Sequence, residues 1–259
     1  MTAFRTCTLA DLTIDDERSF RHVGLYADLK QALEHANYTF RILPEVDRGR
    51  WDRALLLNLT FWGATGGGDV LVSEHIDADV VAHVAWHYLA ARALGEKNAP
   101  LSVEALFLGE AIASAFDVYL VGRLLGHAPK SSFLESQVPA IADAADAAGL
   151  SEEAFDGLLQ EIAKDPDAAF EALRSLLFDA TLALYRCGSA EDGLATLARF
   201  DEHRFAALLP RYELSNWVLY ARAYGAKSGD DPKAKHVDIE LRRAPVALDW
   251  LEANWVRPR

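Results

Sequence analysis

The sequence predicts an α+β fold: a small antiparallel or mixed sheet at the N-terminal end, a helix pair, and a mainly helical C-terminal half. Two observations carry this. "YTFRIL" (38–43), rich in β-branched and aromatic residues, and the strand-like run "RALLLNLTFW" (53–62) fall in the first hundred residues. Beyond Pro100, apolar residues recur at helical spacing almost to the end. Strands grouped before helices indicate α+β rather than an alternating parallel architecture. The soft boundary is "EKNAP" (96–100), which divides a sheet-plus-histidine-helix region, 1–100, from a helical half, 101–259.

Taken in order, "GLYADLKQALEHA" (24–36) has the apolar spacing of a helix. The strand at 38–43 stops at Pro44, and the run at 53–62 reads as a stronger strand. "GATGGGD" (63–69) lacks the GK[ST] ending of a phosphate loop and leads into a strand, so it reads as a flexible turn. A short strand, "VLVSE" (70–74), precedes a helix over 77–94, where Asp77 or Asp79 serves as N-cap or first-turn acid and Gly95 as the stop. The helix over 101–126 has Ser102 as N-cap and Gly126 as stop. Further helices are expected over 132–148, 151–164, 167–186, 190–200, 203–224 (broken at Pro210) and 244–254, with "GAKSGDDPKAKH" (225–236) as a polar loop.

The chain has 259 residues, 51% of them hydrophobic, which suffices for a sizeable core. Its net charge of −13 repels phosphates, so neither nucleic acid nor an anionic membrane is expected as a partner. Cys7 and Cys187 form no CxxC motif and no disulfide framework. With no apolar leader visible and no run of 18 uninterrupted apolar residues, a soluble cytoplasmic protein is the expectation.

The chemistry centres on "AHVAWHYLA" (82–90). On a helix, His83 and His87 lie about 6 Å apart along the axis and on one face, so both rings can reach one metal ion. Spacing alone is weak: eight histidines in 259 residues give about 0.24 such pairs by chance. The next helix adds "GEAIASAFD" (109–117), which sets Glu110 in an apolar stretch where an unpartnered carboxylate is costly. Ser114 and Asp117 share roughly its face.

With these pieces, residues 53–126 resemble the gluzincin branch of the zincin metallopeptidases. That branch carries HExxH on one helix and a glutamate on a following one, often within an "NEAxSD"-like phrase. The resemblance implies His83, His87 and Glu110 as ligands of zinc in a mononuclear site. It implies one compact zincin-like unit and a small-molecule or peptide substrate. The departure is Val84, where the family has the glutamate that accepts a proton from zinc-bound water. Such a base contributes about 10²–10⁴-fold. The family's aspartate one turn after the ligand glutamate is here Ser114.

Asp79, one turn before His83, is the candidate substitute base or a carboxylate orienting a ligand histidine. Glu74 and His75 read as strand-end surface residues, and Glu104 as solvated. No Glu-x-x-His pair suggests a dinuclear bundle, and no G-x-S-x-G elbow is present. Cys187 reads as a helix-ending residue; His203, Tyr212 and Tyr220 as packing; Trp86 as core, pointing away from both histidines. Three functions remain open: an atypical metal-dependent hydrolase, a non-catalytic pseudo-metallopeptidase acting as a binding or scaffold protein, and a non-haem iron oxygenase using the same 2-His-1-carboxylate set.

Overall fold

The structure, a computed structural model, describes residues 4–50, 69–96, 99–226 and 231–257. Most of the strand expected over 53–62 and of the glycine turn lies outside these residues.

The α+β expectation holds. A mixed sheet pairs β1 (Arg5–Thr8) antiparallel with β3 (Thr39–Ile42), and β3 parallel with β4 (Val70–Leu71). A second, parallel pair joins β2 (Thr13–Asp15) to β5 (His75–Asp77), with Ile14 opposite Ile76. The sequence reading found β3 and β4 but not β1 or β2, whose short runs carry too few apolar residues for a period-2 signal. Helix α1 (Gly24–His35) buries Leu25, Tyr26, Leu29 and Leu33, the stripe its spacing predicts.

Helix α2 (Ala78–Leu94) follows β5 without a loop. Asp77 sits at its N-cap with extended backbone, and Asp79 lies in its first turn. Ser102 caps α3 (Val103–His127) by accepting the Ala105 N–H. This 25-residue helix is the axis of the molecule: 89% of its most apolar 18-residue window is buried, as in a core helix. Around it pack α4 (Ser132–Ala147), α5 (Glu152–Lys164), α6 (Pro166–Tyr185), α7 (Ala190–Leu197), α8 (Arg211–Tyr224), α9 (Pro232–Arg243) and α10 (Ala247–Leu251). One hydrophobic core runs from Cys7 to Trp255.

Small residues allow the close helix crossings. A Cβ added at Gly109 would meet the Ala90 Cβ at 3.1 Å, so α2 and α3 nearly touch beside His87 and Glu110. At Gly122 a Cβ would come 2.7 Å from the Ile162 carbonyl oxygen, so α5 crosses α3 against its backbone.

The main difference from expectation is α9. Residues 225–236 were expected to be a polar loop, yet a helix begins at Pro232. Asp231 caps it by accepting the Lys233 and Ala234 N–H groups, and the Ser102 hydroxyl bonds the same carboxylate. The break expected at Pro210 is present, separating a 3₁₀ turn (Ala206–Leu208) from α8.

Candidate metal centre

His83 and His87 project from one face of α2 toward α3, and Glu110 meets them from α3. The two Nε2 atoms are 3.2 Å apart. His87 Nε2 lies 3.1 Å from Glu110 Oε2, and His83 Nε2 lies 3.9 Å from Glu110 Oε1. Donor atoms of the three residues all fall within 4.8 Å of one another. Zinc with bonds of 2.0–2.1 Å in tetrahedral geometry places its ligand atoms about 3.4 Å apart. The observed spread matches that cage closely.

Two neighbours fix the ligands. Asp117 Oδ2 lies 3.1 Å from His83 Nδ1, one helical repeat beyond Glu110 on α3. This leaves Nε2 as the metal-facing nitrogen, the carboxylate–histidine arrangement of metal sites. The Ser114 hydroxyl donates to Glu110 Oε1 at 3.1 Å. Ser114 and Asp117 therefore contact the candidate ligands Glu110 and His83, and the face they share with Glu110 was visible in the sequence. Glu110 is 6% exposed. Its Oε2 meets the histidine at 3.1 Å but receives no well-aligned hydrogen bond from the described residues. A buried acceptor in that state suits a cation, so the residues fit a metal ion.

The electrostatics agree. Burial alone would favour a neutral His83 ring, but Asp117, then Glu110 and Asp79, raise its pKa to about 9. Burial also opposes charge on Glu110, yet His87, then His83 and Ser114, hold its carboxyl below the usual carboxylate range. Both shifts follow from the pairing of the two histidines with these carboxylates.

Val84 has no exposure and belongs to the core. Trp86 is likewise buried, edge-on to Phe116. Asp79 lies close enough to Asp117 and His83 to feel both charges. Burial first, then the carboxylates of Asp117 and Asp77, raise its pKa to about 7. His83 Nδ1 donates instead to Asp117 on the neighbouring helix, so Asp117, not Asp79, is the carboxylate that orients this ring.

Asp69 escaped the sequence reading. It closes the glycine run, is 4% exposed, and accepts the Tyr38 hydroxyl at 2.9 Å. Burial raises its pKa, while Tyr38, His87 and His83 oppose that rise. Tyr38 packs edge-on against Tyr88, the residue after His87. The sheet thus brings a second buried carboxylate toward the histidine face of α2. The only sequence signal was an acid next to an apolar strand.

The remaining candidates are accounted for locally. Glu74 pairs with Arg5 at 2.6 Å and Arg48 at 3.6 Å, and His75 with Asp15 at 3.0 Å, all at the surface. Glu104, expected to be solvated, is instead half-buried in the first turn of α3, and its Oε2 is buried without a hydrogen-bond partner among the described residues. Cys187 is half-buried, with Sγ near Ala183 O and Thr196 Oγ1. His203 Nδ1 accepts the Phe205 N–H, Tyr212 is exposed, and Tyr220 packs on Tyr224. No family model, no curated protein and no solved structure matches this chain.

Proposed function

We propose that this chain is an atypical metal-dependent hydrolase that holds one divalent ion, zinc, through His83, His87 and Glu110. The observation that carries the reading is the convergence of three donors with two of them separately fixed, His83 by Asp117 and Glu110 by Ser114. A buried carboxylate with its own orienting hydroxyl is costly to maintain without a cation. When bound, zinc polarises a carbonyl and lowers the pKa of a water molecule.

The chain's own groups supply the rest. Asp117 keeps the His83 proton on Nδ1 and Nε2 free to ligate. Asp79, with its pKa near 7, is suited to accept and return a proton at neutral pH, the service that Val84 cannot give. The substrate is an amide-like bond in a small molecule or peptide. The acidic surface disfavours nucleic acid and anionic membrane as partners, and two free cysteines suit a cytoplasmic setting.

The burial of Val84 favours a second reading, a metal-binding scaffold without turnover. Elemental analysis of the purified protein tests the common premise. One zinc per chain in the wild type and none in His83→Ala is the expected result. Absence of stoichiometric metal in both ends the proposal. Iron with ferrous-dependent oxygen uptake moves the function to an oxygenase using the same ligands. Zinc without hydrolysis of any amide panel leaves the scaffold.

A further inference from the structure

A cleft of about 560 Å³ lies between α3, α4, α6 and the start of α8. That size is within the range of small-molecule sites. Its inner wall carries Ser114 and Asp117, the two side chains that hold Glu110 and His83. Val118, Ile141, Leu173 and Leu177 give it an apolar lining. Two of its twelve lining residues carry formal charge, and both are acids: Asp117 at the inner end and Glu213, exposed at the rim. Asp117 lines the cleft, is 32% exposed, and meets His83 through Oδ2.

From this lining we infer that the cleft binds a cationic amphiphile, an aliphatic chain ending in an ammonium group. The chain lies along Ile141, Leu173 and Leu177, the ammonium is paired by the Asp117 carboxylate at the inner end, and Glu213 keeps the rim anionic. An apolar slot with anionic groups and no lysine or arginine in its lining rejects fatty carboxylates and phosphates. Placing such a charge in a largely apolar cleft without a counter-ion is unfavourable. The inference goes beyond the hydrolase reading: none of His83, His87 and Glu110 lines the cleft, so amphiphile binding stands apart from turnover.

The test is calorimetric titration of the full chain with hexyl-, octyl- and decylammonium and with decanoate, each run on metal-loaded and chelator-treated protein. Alkylammonium affinity should rise about fourfold per added methylene and exceed that of decanoate at least tenfold. Ile141→Arg, at a half-buried position on α4, should weaken decylammonium at least tenfold while metal content and thermal midpoint stay as in wild type. Glu213→Lys, fully on the surface, should narrow the preference for ammonium over carboxylate. Decanoate binding as well as decylammonium overturns the inference, as does binding that Ile141→Arg leaves untouched. Metal content, measured on the same samples, reports separately on the hydrolase reading. Alkylammonium binding without stoichiometric metal supports the cleft and removes the metal centre, and the reverse result does the opposite.

Discussion

Arg174 on α6 and Glu110 on α3 are both charged and both buried, but their surroundings differ in kind. Arg174, with no exposure, spends Nε and Nη2 on the two oxygens of Glu171 at 2.7 Å and Nη1 on Asp238 at 2.8 Å. Asp238 is bonded in turn by Arg242, which also reaches Asp179 at 2.8 Å. Each of the two arginines sits between carboxylates, two cations among three acids, and the cluster ties α9 to α6. Around Glu110 the partners differ: Glu110 and Asp117 meet two imidazoles rather than guanidinium groups, and burial raises the pKa of the nearby Asp79 and Asp69. Burial of charge is therefore not a mark of function. Buried carboxylates partnered by imidazoles, nitrogens that can also ligate a metal ion, are the more informative sign.

The comparison breaks first if Arg174 is dispensable. Arg174→Met leaves Glu171 and Asp238 facing each other without their shared cation, and should cost about 3 kcal/mol in denaturant unfolding. Zinc per folded molecule should not change. Unaltered stability would mean that the cluster is ornamental, and lost zinc would mean that the two regions are coupled.

Asp117→Asn probes the other side with a smaller effect. It keeps the shape of the His83 partner and removes its charge, so zinc affinity measured by chelator competition should fall about 10–100-fold. An affinity within twofold of wild type would remove Asp117 from the account of the centre.

The pH dependence is gentlest and runs in opposite directions with and without metal. His83 titrates near 9 in the folded metal-free chain, above its ordinary 6.5. Its pairing with Asp117 thus stabilises the metal-free fold fully below about pH 6.5, and that contribution is lost as pH rises through about 9. Zinc needs the neutral ring, so zinc affinity should rise about tenfold per pH unit between those limits, with proton release visible by calorimetry in buffers of different ionisation heat. A flat affinity profile over that window would show that His83 is already neutral in the metal-free protein.

How legible this was differs by region. The helix pair and its three ligands could be read because each signal was redundant: spacing on α2, an acid isolated in an apolar run on α3, and caps at Asp77 and Ser102. Asp117 was recognised as sharing a face with Glu110. Its bond to His83 was not readable, because that bond depends on how closely two helices approach, and Gly109 and Ala90 set that distance only in three dimensions. Helix α9 was missed because its sequence, "PKAKHVDIELRR", is dominated by charged residues and buries only Ala234, Val237 and Leu241. The Asp231–Pro232 pair was nonetheless a legitimate start signal. Asp69 was missed because it follows glycines, and a turn was sufficient reason for an aspartate there.

Val84 bears on whether the centre could be re-armed in the laboratory. With no exposure at that position, Val84→Glu would do more than return a proton acceptor beside His83. It would force an ionisable group into a dry interior, where the acid either stays protonated and inert as a base or opens the packing around itself. Introducing a base at position 84 therefore becomes a problem of hydration. A working variant needs a second substitution that admits water to the α2–α3 seam, and screening position 84 alone would return unfolded or silent proteins.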